Sequence, residues 1–380
     1  MIKRKVKSMS RPSSGDNLRE QIREHVKEEK EVKPESQNGK LWVPSGSILF
    51  NLACSDRYSG AYLEGRMINL VGDSSSGKSF LALSGMAAMA NSKKYADYAL
   101  IYDDAEFADS FDHEKLFGSS FCSRVKPPSI DTETGELVFS STIEQFFDHV
   151  MDAVDSEKPF IYILDSFDAI DADAEIAKEL ENREHRKKGN LSKIKGSFQA
   201  TKQKKASQMF RQICGKLSKT KSILIIISQT RDNLDAFSFV KQYRAGGKAL
   251  KFYSSIEAWL TYAGAITKTV AGVPHKIGVK TVIKISKNKF TGKLREVGFP
   301  IYYDYGIDDI ESCLDFLVTN KYWVKPKQTI TATELNVEMT QPKLIQYIEE
   351  KGKEKILFKA VQSCWNELEE KLKLNRKRKF

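Results

Sequence analysis

The chain has 380 residues, 41% hydrophobic and 29% charged, which is the composition of a globular protein with one large domain and an extension, or with two domains. The formal net charge of +11 is compatible with an anionic partner and equally with general solubility. The five cysteines are scattered without a Cys-x-x-Cys pair, which argues against a zinc site or a disulfide framework and suits a reducing cytoplasm. There is no apolar run near the ~20 residues of a membrane span and no secretory signal, so we expect a cytoplasmic protein with no membrane partner.

Residues 1–40 are polar and charged. Within them Leu18, Ile22 and Val26 recur at a spacing of four, which predicts a short amphipathic helix followed by a linker. Such a helix is stable only when it packs on another surface. We expect residues 16–30 to be an assembly element that packs on a neighbouring subunit; packing on its own core is the alternative.

A phosphate-binding loop is predicted where a short apolar strand, Met67 to Val71, leads into a helical pattern, Phe80 to Ala90. The residues between them fit G-x-x-x-x-G-K-[ST], whose glycines let backbone N–H groups point at phosphate oxygens. We expect Lys78 to reach the β- and γ-phosphates of ATP and the Ser79 hydroxyl to bind Mg²⁺. The predicted nucleotide contacts are Gly72, Asp73, Ser74, Ser75, Ser76, Gly77, Lys78, Ser79 and Phe80.

Three further apolar runs predict strands at residues 99–102, 160–164 and 223–227, and each leads into a polar group. These groups contain Glu106, Asp165 and Gln229 respectively. Helical patterns alternate with the runs, so we expect a parallel sheet covered on both faces, with ligands gathered at the carboxyl ends of its strands. Asp165 is then expected to hold the water shell of Mg²⁺. Later runs with shorter connections predict an antiparallel extension of the sheet.

Two stretches of the sequence predict contacts with a polyanion. Residues 183–205 contain nine Lys or Arg against one acid, and Gly189 and Gly196 are expected to interrupt a helix. This predicts a mobile basic loop that contacts a phosphate backbone, with a solvated helix face as the alternative. Residues 232–246 interleave aromatic and basic side chains, which suits single-strand binding; the alternative is that the aromatics only pack.

In their order along the chain, these motifs resemble those of RecA-type ATP-dependent strand-exchange proteins, from Val43 to about Leu317. The matching pieces are VPSGS, GDSSSGKS, DAEFAD, ILDS, SQTR, GGKALKFYSS and KNK. The resemblance implies an α/β fold with a RecA-like P-loop ATPase core, in which a mostly parallel central sheet is flanked by helices. We expect a short N-terminal helix and linker at residues 1–40, the core at 41–323, and a small helical C-terminal region with a basic tail at 324–380.

The resemblance also implies roles for particular residues. Beside Lys78, Glu106 would be the catalytic glutamate and Gln229 the sensor of the γ-phosphate, while Lys287 and Lys289 would reach the ATP bound by a neighbouring subunit. The implied DNA loops lie at residues 171–206 and 231–246. The predicted DNA-binding residues are Arg183, Arg186, Lys187, Lys188, Lys193, Lys195, Lys202, Arg231, Lys241, Arg244, Gly246 and Gly247.

The sequence departs from the family pattern at several points. Asp73 stands where bacterial members usually have Pro, and the position near an adenine-stacking Tyr holds Phe111 or His113. The first DNA loop is longer and more basic than in bacterial members, and YWVKPK resembles phage strand-exchange proteins. We therefore expect a divergent, phage-encoded member that acts in the host cytoplasm.

Together these implications predict a DNA-dependent ATPase with ATP and Mg²⁺ as cofactors. It would form a homo-oligomeric helical filament on single-stranded DNA, assembled through the N-terminal helix, and pair that strand with homologous duplex DNA in recombination and repair. Two alternatives stay open. A RecA-fold hexameric DNA helicase motor would unwind tailed duplexes, and a nucleotide-gated DNA-binding regulatory protein would bind ATP without DNA-stimulated hydrolysis.

Overall fold

The computed structural model describes residues 39–188, 190, 200–232, 242–244 and 247–376, so the predicted N-terminal helix lies outside the described residues. The described strands are β1 Trp42–Val43, β2 Tyr62–Leu63, β3 Arg66–Gly72, β4 Ala99–Asp104, β5 Val125–Lys126, β6 Ser129–Ile130, β7 Leu137–Val138, β8 Phe160–Asp165, β9 Ile223–Asp232, β10 Gln242–Arg244, β11 Ile256–Val270, β12 Val273–Asn288, β13 Glu296–Tyr302, β14 Gly306–Ile307, β15 Thr329–Ala332 and β16 Val337–Thr340. The described α-helices are α1 Ile48–Ser55, α2 Lys78–Ala90, α3 His113–Phe117, α4 Ser119–Arg124, α5 Ile143–Asp155, α6 Asp173–Lys187, α7 Ala200–Thr220, α8 Gly247–Tyr253, α9 Asp309–Thr319, α10 Gln341–Glu350 and α11 Glu354–Lys371. None of these helices combines the length and the apolar character that crossing a membrane requires.

One large sheet organises the fold, with strand order β14-β13-β12-β11-β3-β9-β8-β4-β5 and with β10 paired to β9. The strands from β11 to β5 in that order run parallel to one another. Strands β12, β13 and β14 continue the sheet in antiparallel pairing. The predicted parallel sheet with an antiparallel extension is therefore confirmed.

Side chains of the central strands alternate between two apolar layers. In β9, Ile223, Ile225 and Ile227 join the cluster that includes α2, whereas Leu224 and Ile226 join the cluster under α5 and α7. Because successive strand residues point to opposite faces, an unbroken run of branched residues fills both layers at once. This explains why the central strands could be recognised from continuous apolar runs.

The region after residue 323 consists of the β15–β16 hairpin and the helices α10 and α11. The helices were predicted, and the short hairpin was not, because four-residue strands carry too little alternation to be recognised. Leu344, Val361 and Trp365 lie in the same apolar cluster as α1. The region thus packs directly on the core, and a domain boundary at residue 323 stays a prediction.

A polar cluster also ties α11 to the core. Arg295 donates two hydrogen bonds to the carboxylate of Glu369, at 2.6 and 2.7 Å. Lys293 pairs with Glu369 at 2.9 Å and with Asp56 at 2.6 Å. The indole N–H of Trp365 donates to Asp56 at 3.0 Å, so Asp56 receives donors from both α11 and the core.

The prediction of a mobile loop over residues 183–205 is wrong at both ends. Helix α6 continues through Lys187, and α7 begins at Ala200. Acidic residues in the first turn of α6 and basic residues in its last turn complement the helix dipole. Within α6, Arg186 also pairs with Glu179. The window 183–205 begins after the acids of the first turn of α6 and after Glu179, so its charge count did not include them.

Candidate functional site

The predicted phosphate loop connects β3 to α2, and the backbone requires its two glycines. A Cβ on Gly72 would lie 2.4 Å from the carbonyl oxygen of Leu260. Gly77 has a φ of +92°, and a Cβ there would lie 2.6 Å from Cδ1 of Ile301. A side chain at either position would displace the neighbouring strands or strain the backbone. At these two positions the loop therefore has no side chain to block the close approach of a phosphate group to the backbone, as a phosphate-binding loop requires.

Hydrogen bonds from neighbouring strands hold this loop in place. The hydroxyl of Ser76 donates to the carbonyl oxygen of Asp73 at 2.8 Å, and Thr281 of β12 donates to the carbonyl oxygen of Ser76 at 3.1 Å. The hydroxyl of Thr230, in β9, donates to the carboxylate of Asp73. Residues 73–75 are exposed, so the loop is fixed at its base and open on its outer side.

Lys78 begins α2 and is buried, with only 8% of its surface exposed. Its Nζ donates to the carbonyl oxygen of Asp73 at 2.6 Å. Burial lowers the pKa of the Lys78 ammonium, and the carboxylates of Asp165 and Glu106 partly restore it. A desolvated cation beside an open loop fits a phosphate group well, because charge-assisted hydrogen bonds strengthen where water is excluded.

Ser79 and Asp165, the predicted Mg²⁺ ligands, are in hydrogen-bonding contact. Burial raises the pKa of Asp165 to about 6 against the opposing hydrogen bond from Ser79, and the charge of Glu106 adds to the increase. Proteins bind Mg²⁺ through one or two carboxylates together with phosphate oxygens and water. One hydroxyl and one carboxylate beside the phosphate loop therefore fit this ion, whose charge would favour the ionised form of Asp165.

The carboxylate of Glu106 is exposed and receives hydrogen bonds from one residue of β9 and one residue that directly follows β8. Its Oε1 accepts from Nε2 of Gln229 at 2.7 Å and from the hydroxyl of Ser166. The backbone N–H of Gln229 donates to Oδ2 of Asp168 at 2.7 Å. Sequence reasoning missed Ser166 and Asp168, for which the available sign was their position directly after Asp165. The predicted water-activating carboxylate and the predicted γ-phosphate sensor are thus directly bonded.

The register of the sheet brings the predicted groups to one edge. Gly72 pairs with Gln229 across β3 and β9, and Asp104 pairs with Asp165 across β4 and β8. These four strands are consecutive in the sheet, in the order β3-β9-β8-β4. Glu106 follows two residues after Asp104. The loop, Glu106, Asp165 and Gln229 therefore meet at the carboxyl ends of adjacent parallel strands, as predicted.

Aromatic residues lie beside the loop. Phe80, predicted to contact the nucleotide, is buried, and its ring lies 5.6 Å from that of Phe111 and 5.3 Å from that of Phe117. Phe111 is 41% exposed. The imidazole of His113 is 2.8 Å from the carboxylate of Asp109. Phe80 thus packs against Phe111, whose ring stays partly exposed beside the loop.

The segment 287–289 lies at the opposite edge of the sheet from the phosphate loop. Asn288 pairs with Ile256, and Ile256 pairs with Ile68, which is four residues before Gly72. Four strand residues span about 13 Å. Lys287 and Lys289 are therefore placed away from the nucleotide site of their own chain.

The ammonium groups of these two lysines meet at the end of α8. Both donate to the carbonyl oxygen of Phe252, at 2.9 Å from Lys287 and 3.2 Å from Lys289. Burial, followed by the charge of Lys289, lowers the pKa of Lys287 to about 8. Helix carbonyls thus hold together two like charges that would otherwise repel each other.

The predicted DNA-binding residues are distributed over several elements. Arg183, Arg186 and Lys187 lie in the last turns of α6, Lys188 follows it, and all four are exposed. Arg231 and Arg244 lie on the paired strands β9 and β10, and Gly247 begins α8. Lys202, near the start of α7, is half-buried. The remaining predicted residues, Lys193, Lys195, Lys241 and Gly246, lie outside the described residues.

The glycine-containing loop before α2 and the acids at the ends of β4 and β8 are features of a RecA-like α/β core. The sequence model of the RecA N-terminal domain family matches residues 33–308, and the chain belongs to this family. Protein RecA of Acholeplasma laidlawii is 28% identical over 309 residues, which cover 81% of this chain and 82% of that protein. Protein RecA of Leifsonia xyli is 29% identical over 274 residues, covering 72% of this chain and 67% of that protein. Members of the family are DNA-dependent ATPases that use ATP and Mg²⁺ and serve recombination and repair.

Proposed function

We propose that this chain is an ATP-dependent recombinase that forms filaments on single-stranded DNA and promotes homologous pairing and strand exchange. The hydrogen bond between Glu106 and Gln229 carries the proposal, because it joins the predicted site of hydrolysis to the β9–β10 strand pair. Family membership and the cationic composition support the same function.

In the proposed reaction, each group at the sheet edge has one task. Lys78 and the loop N–H groups would bind the phosphates, and Ser79 and Asp165 would hold Mg²⁺. Bound ATP with Mg²⁺ supplies the phosphoryl group and the charge to which these residues respond. Glu106 would orient the attacking water and accept its proton, a role that suits an exposed carboxylate fixed by two donors.

Coupling between ATP and DNA would pass through Gln229. The side-chain amide of Gln229 donates to Glu106 in this structure. The γ-phosphate of bound ATP would be a competing acceptor for the same amide. A change of partner would alter β9 just before Arg231 and the strand β10, which carries Arg244. Affinity for DNA would then depend on which partner Gln229 holds, because a ligand shifts an equilibrium by its differential affinity for two states.

Assembly into a filament would complete the nucleotide site. Lys287 and Lys289 lie away from their own phosphate loop, so a role at ATP requires the loop of a neighbouring subunit. Residues 16–30 are proposed to dock on that neighbour. All five cysteines are free thiols, which agrees with action in the cytoplasm.

Electron microscopy tests the proposal most directly. The protein is mixed with single-stranded DNA and a slowly hydrolysed ATP analogue, and helical filaments are expected. A variant that lacks residues 1–38 should still bind nucleotide but form no filaments. Closed rings would contradict the proposal in favour of a helicase motor. Absence of any assembly, together with ATP binding that DNA does not convert into hydrolysis, would favour a regulatory protein.

A further inference from the structure

Lys202 lies in the basic stretch that was predicted to contact DNA, yet its ammonium group is engaged inside the protein. Nζ donates to the carbonyl oxygen of Phe167 at 2.8 Å and to that of Ile170. It also stands 4.7 Å from the centroid of the Phe167 ring. An ammonium group has three N–H donors, so two carbonyls and an aromatic face satisfy most of its capacity.

The carbonyls that Lys202 binds belong to the segment 166–170, which contains two contacts of the candidate nucleotide site. Ser166 donates to the carboxylate of Glu106, and Asp168 accepts the backbone N–H of Gln229. The backbone N–H of Phe167 donates to Ile227 of β9 at 2.9 Å. The segment therefore sets the positions of both Glu106 and Gln229, and Lys202 bonds it at two points.

A second lysine of α7 holds the continuation of the same segment. Lys205 pairs with Glu144 of α5, and Glu144 accepts the backbone N–H of Asp173, the first residue of α6, at 3.2 Å. The beginning of α7 thus bonds the connection between β8 and α6 directly through Lys202, and Lys205 reaches the start of α6 indirectly, through Glu144. Lys204, between the two lysines in sequence, is exposed to solvent.

We propose that Lys202 is a positioning residue of the nucleotide site and not a contact to DNA. Its ammonium group fixes the segment 166–170, so that Ser166 and Asp168 hold Glu106 and Gln229 in their working geometry. This inference rests on the proposed DNA-stimulated ATPase activity.

The test compares Lys202→Met, which keeps an unbranched stem and removes the ammonium, with Lys204→Met, which makes the same change on the exposed neighbour. At saturating single-stranded DNA, Lys202→Met should lower the kcat of ATP hydrolysis by roughly ten- to a hundredfold, the loss expected when a reacting group is misplaced. Its KM for ATP and the salt dependence of its DNA binding should stay those of the parent. Lys204→Met should keep the parental kcat.

A second variant, Lys202→Gln, keeps two N–H donors without the charge. Its amide can still donate to a carbonyl, so its kcat should lie between those of the parent and Lys202→Met. A DNA contact predicts the opposite pattern for both variants: a parental kcat and a salt slope lower by about 0.7. That pattern in Lys202→Gln overturns the inference even if Lys202→Met does not fold.

DNA-stimulated ATP hydrolysis by the parent protein shows whether a negative result concerns this inference alone or also the proposed function. A parent that shows no DNA-stimulated hydrolysis overturns the proposed function and this inference together. A parent that hydrolyses ATP, beside folded Lys202→Met protein with an unchanged kcat, overturns the role of Lys202 alone. Thermal unfolding of each variant identifies which proteins are folded.

Discussion

The side-chain amide of Gln229 donates a hydrogen bond of 2.7 Å to the carboxylate of Glu106. Glu106 follows β4, Gln229 lies in β9, and β8 runs between these strands in the sheet. Ser166, which follows β8, donates to the same carboxylate oxygen. Three neighbouring strands therefore fix one exposed acid, and any change at Gln229 alters the donors around it.

Replacement of Glu106 by Gln should separate nucleotide binding from hydrolysis. The amide keeps the size of the side chain but cannot accept a proton, so hydrolysis should fall by about 10²–10⁴-fold while ATP affinity stays close to that of the parent. Nucleotide titration and phosphate release measure the two properties separately. Glu133→Gln, on an exposed turn, removes the same charge as a control. Hydrolysis of Glu106→Gln at the parental rate would show the catalytic assignment to be wrong.

Asp165→Asn should stabilise the nucleotide-free protein. It should also remove the rise in Tm that Mg²⁺ with ATP produces in the parent. The rise in pKa from 3.8 to about 6 corresponds to about 3 kcal/mol. Because the folded state binds this proton more tightly than the unfolded chain, ionised Asp165 lowers stability above pH 6, and the penalty disappears as the pH falls towards 4. The Asn variant should gain about 1–2 kcal/mol at pH 8, less than the full amount because an amide oxygen replaces two acceptor oxygens.

Thermal unfolding at pH 8 and pH 5, with and without Mg²⁺ and ATP, measures both effects. The advantage of Asp165→Asn should shrink at pH 5, and Mg²⁺ with ATP should no longer raise its Tm. Asp152→Asn, on the exposed face of α5, serves as the control. A lower Tm at pH 8, or an undiminished response to Mg²⁺ and ATP, contradicts the assignment of Asp165.

The residues at strand ends were the most predictable part of the site. The least predictable were side chains that belong to no recognisable sequence motif. Gly72 and Asp165 could be located because parallel topology places the carboxyl ends of all strands at one edge. Ser166 became relevant only once the fold placed it against Glu106. The contacts of Lys202 with the carbonyl oxygens of Phe167 and Ile170 were unpredictable for a related reason: a run of basic residues shows where charge lies in the sequence but not which groups bind it.

Salt dependence of DNA binding should report on the basic end of α6. Each phosphate contact on a single strand contributes about 0.7 to the log–log slope, so replacing Arg186, Lys187 and Lys188 together by Ala should lower the slope by about two units. Fluorescence anisotropy over a range of salt concentrations gives the slope. A matched control removes three exposed lysines that precede β4, β8 and β9 at the other edge of the sheet, namely Lys93, Lys158 and Lys219. An equal slope for both triple variants would contradict a DNA contact at this end of α6 and would favour the alternative, a solvated helix face.

Attachment of α11 to the core should depend on Glu369 and on pH. Burial works to raise the pKa of Glu369, but hydrogen bonds from Arg295 and Lys293 outweigh it and lower the pKa. A lowered pKa means that this stability is present above the unfolded-state value near 4.5 and is lost as the pH falls through the folded-state value. Glu369→Gln should therefore cost about 1 kcal/mol at pH 7, and less in acid. Glu370→Gln, which loses an exposed partner of Lys373, should change stability little, and equal Tm values for both variants would contradict the prediction.

Lys287 and Lys289 should act on the nucleotide of a neighbouring subunit. Their ammonium groups share the carbonyl of Phe252 at the sheet edge opposite to their own phosphate loop. Two like charges at one point attract an anion strongly, and the γ-phosphate of ATP on the next subunit would be that anion, stabilised in the transition state as by an arginine finger. The double variant Lys287→Ala with Lys289→Ala should therefore bind nucleotide as a monomer and lose DNA-stimulated hydrolysis.

Mixing this double variant with Lys78→Ala protein gives the sharper test of the neighbour's role. Each protein alone should be inactive, because one lacks the lysines and the other lacks the phosphate-binding ammonium. In a mixed filament some interfaces pair the intact loop of one protein with the intact lysines of the other, so part of the activity should return. Nucleotide binding by each protein alone, and electron microscopy of the mixture, serve as controls for folding and assembly. If mixed filaments form and hydrolysis does not return, or if the double variant alone keeps full turnover, the lysines do not act across the interface.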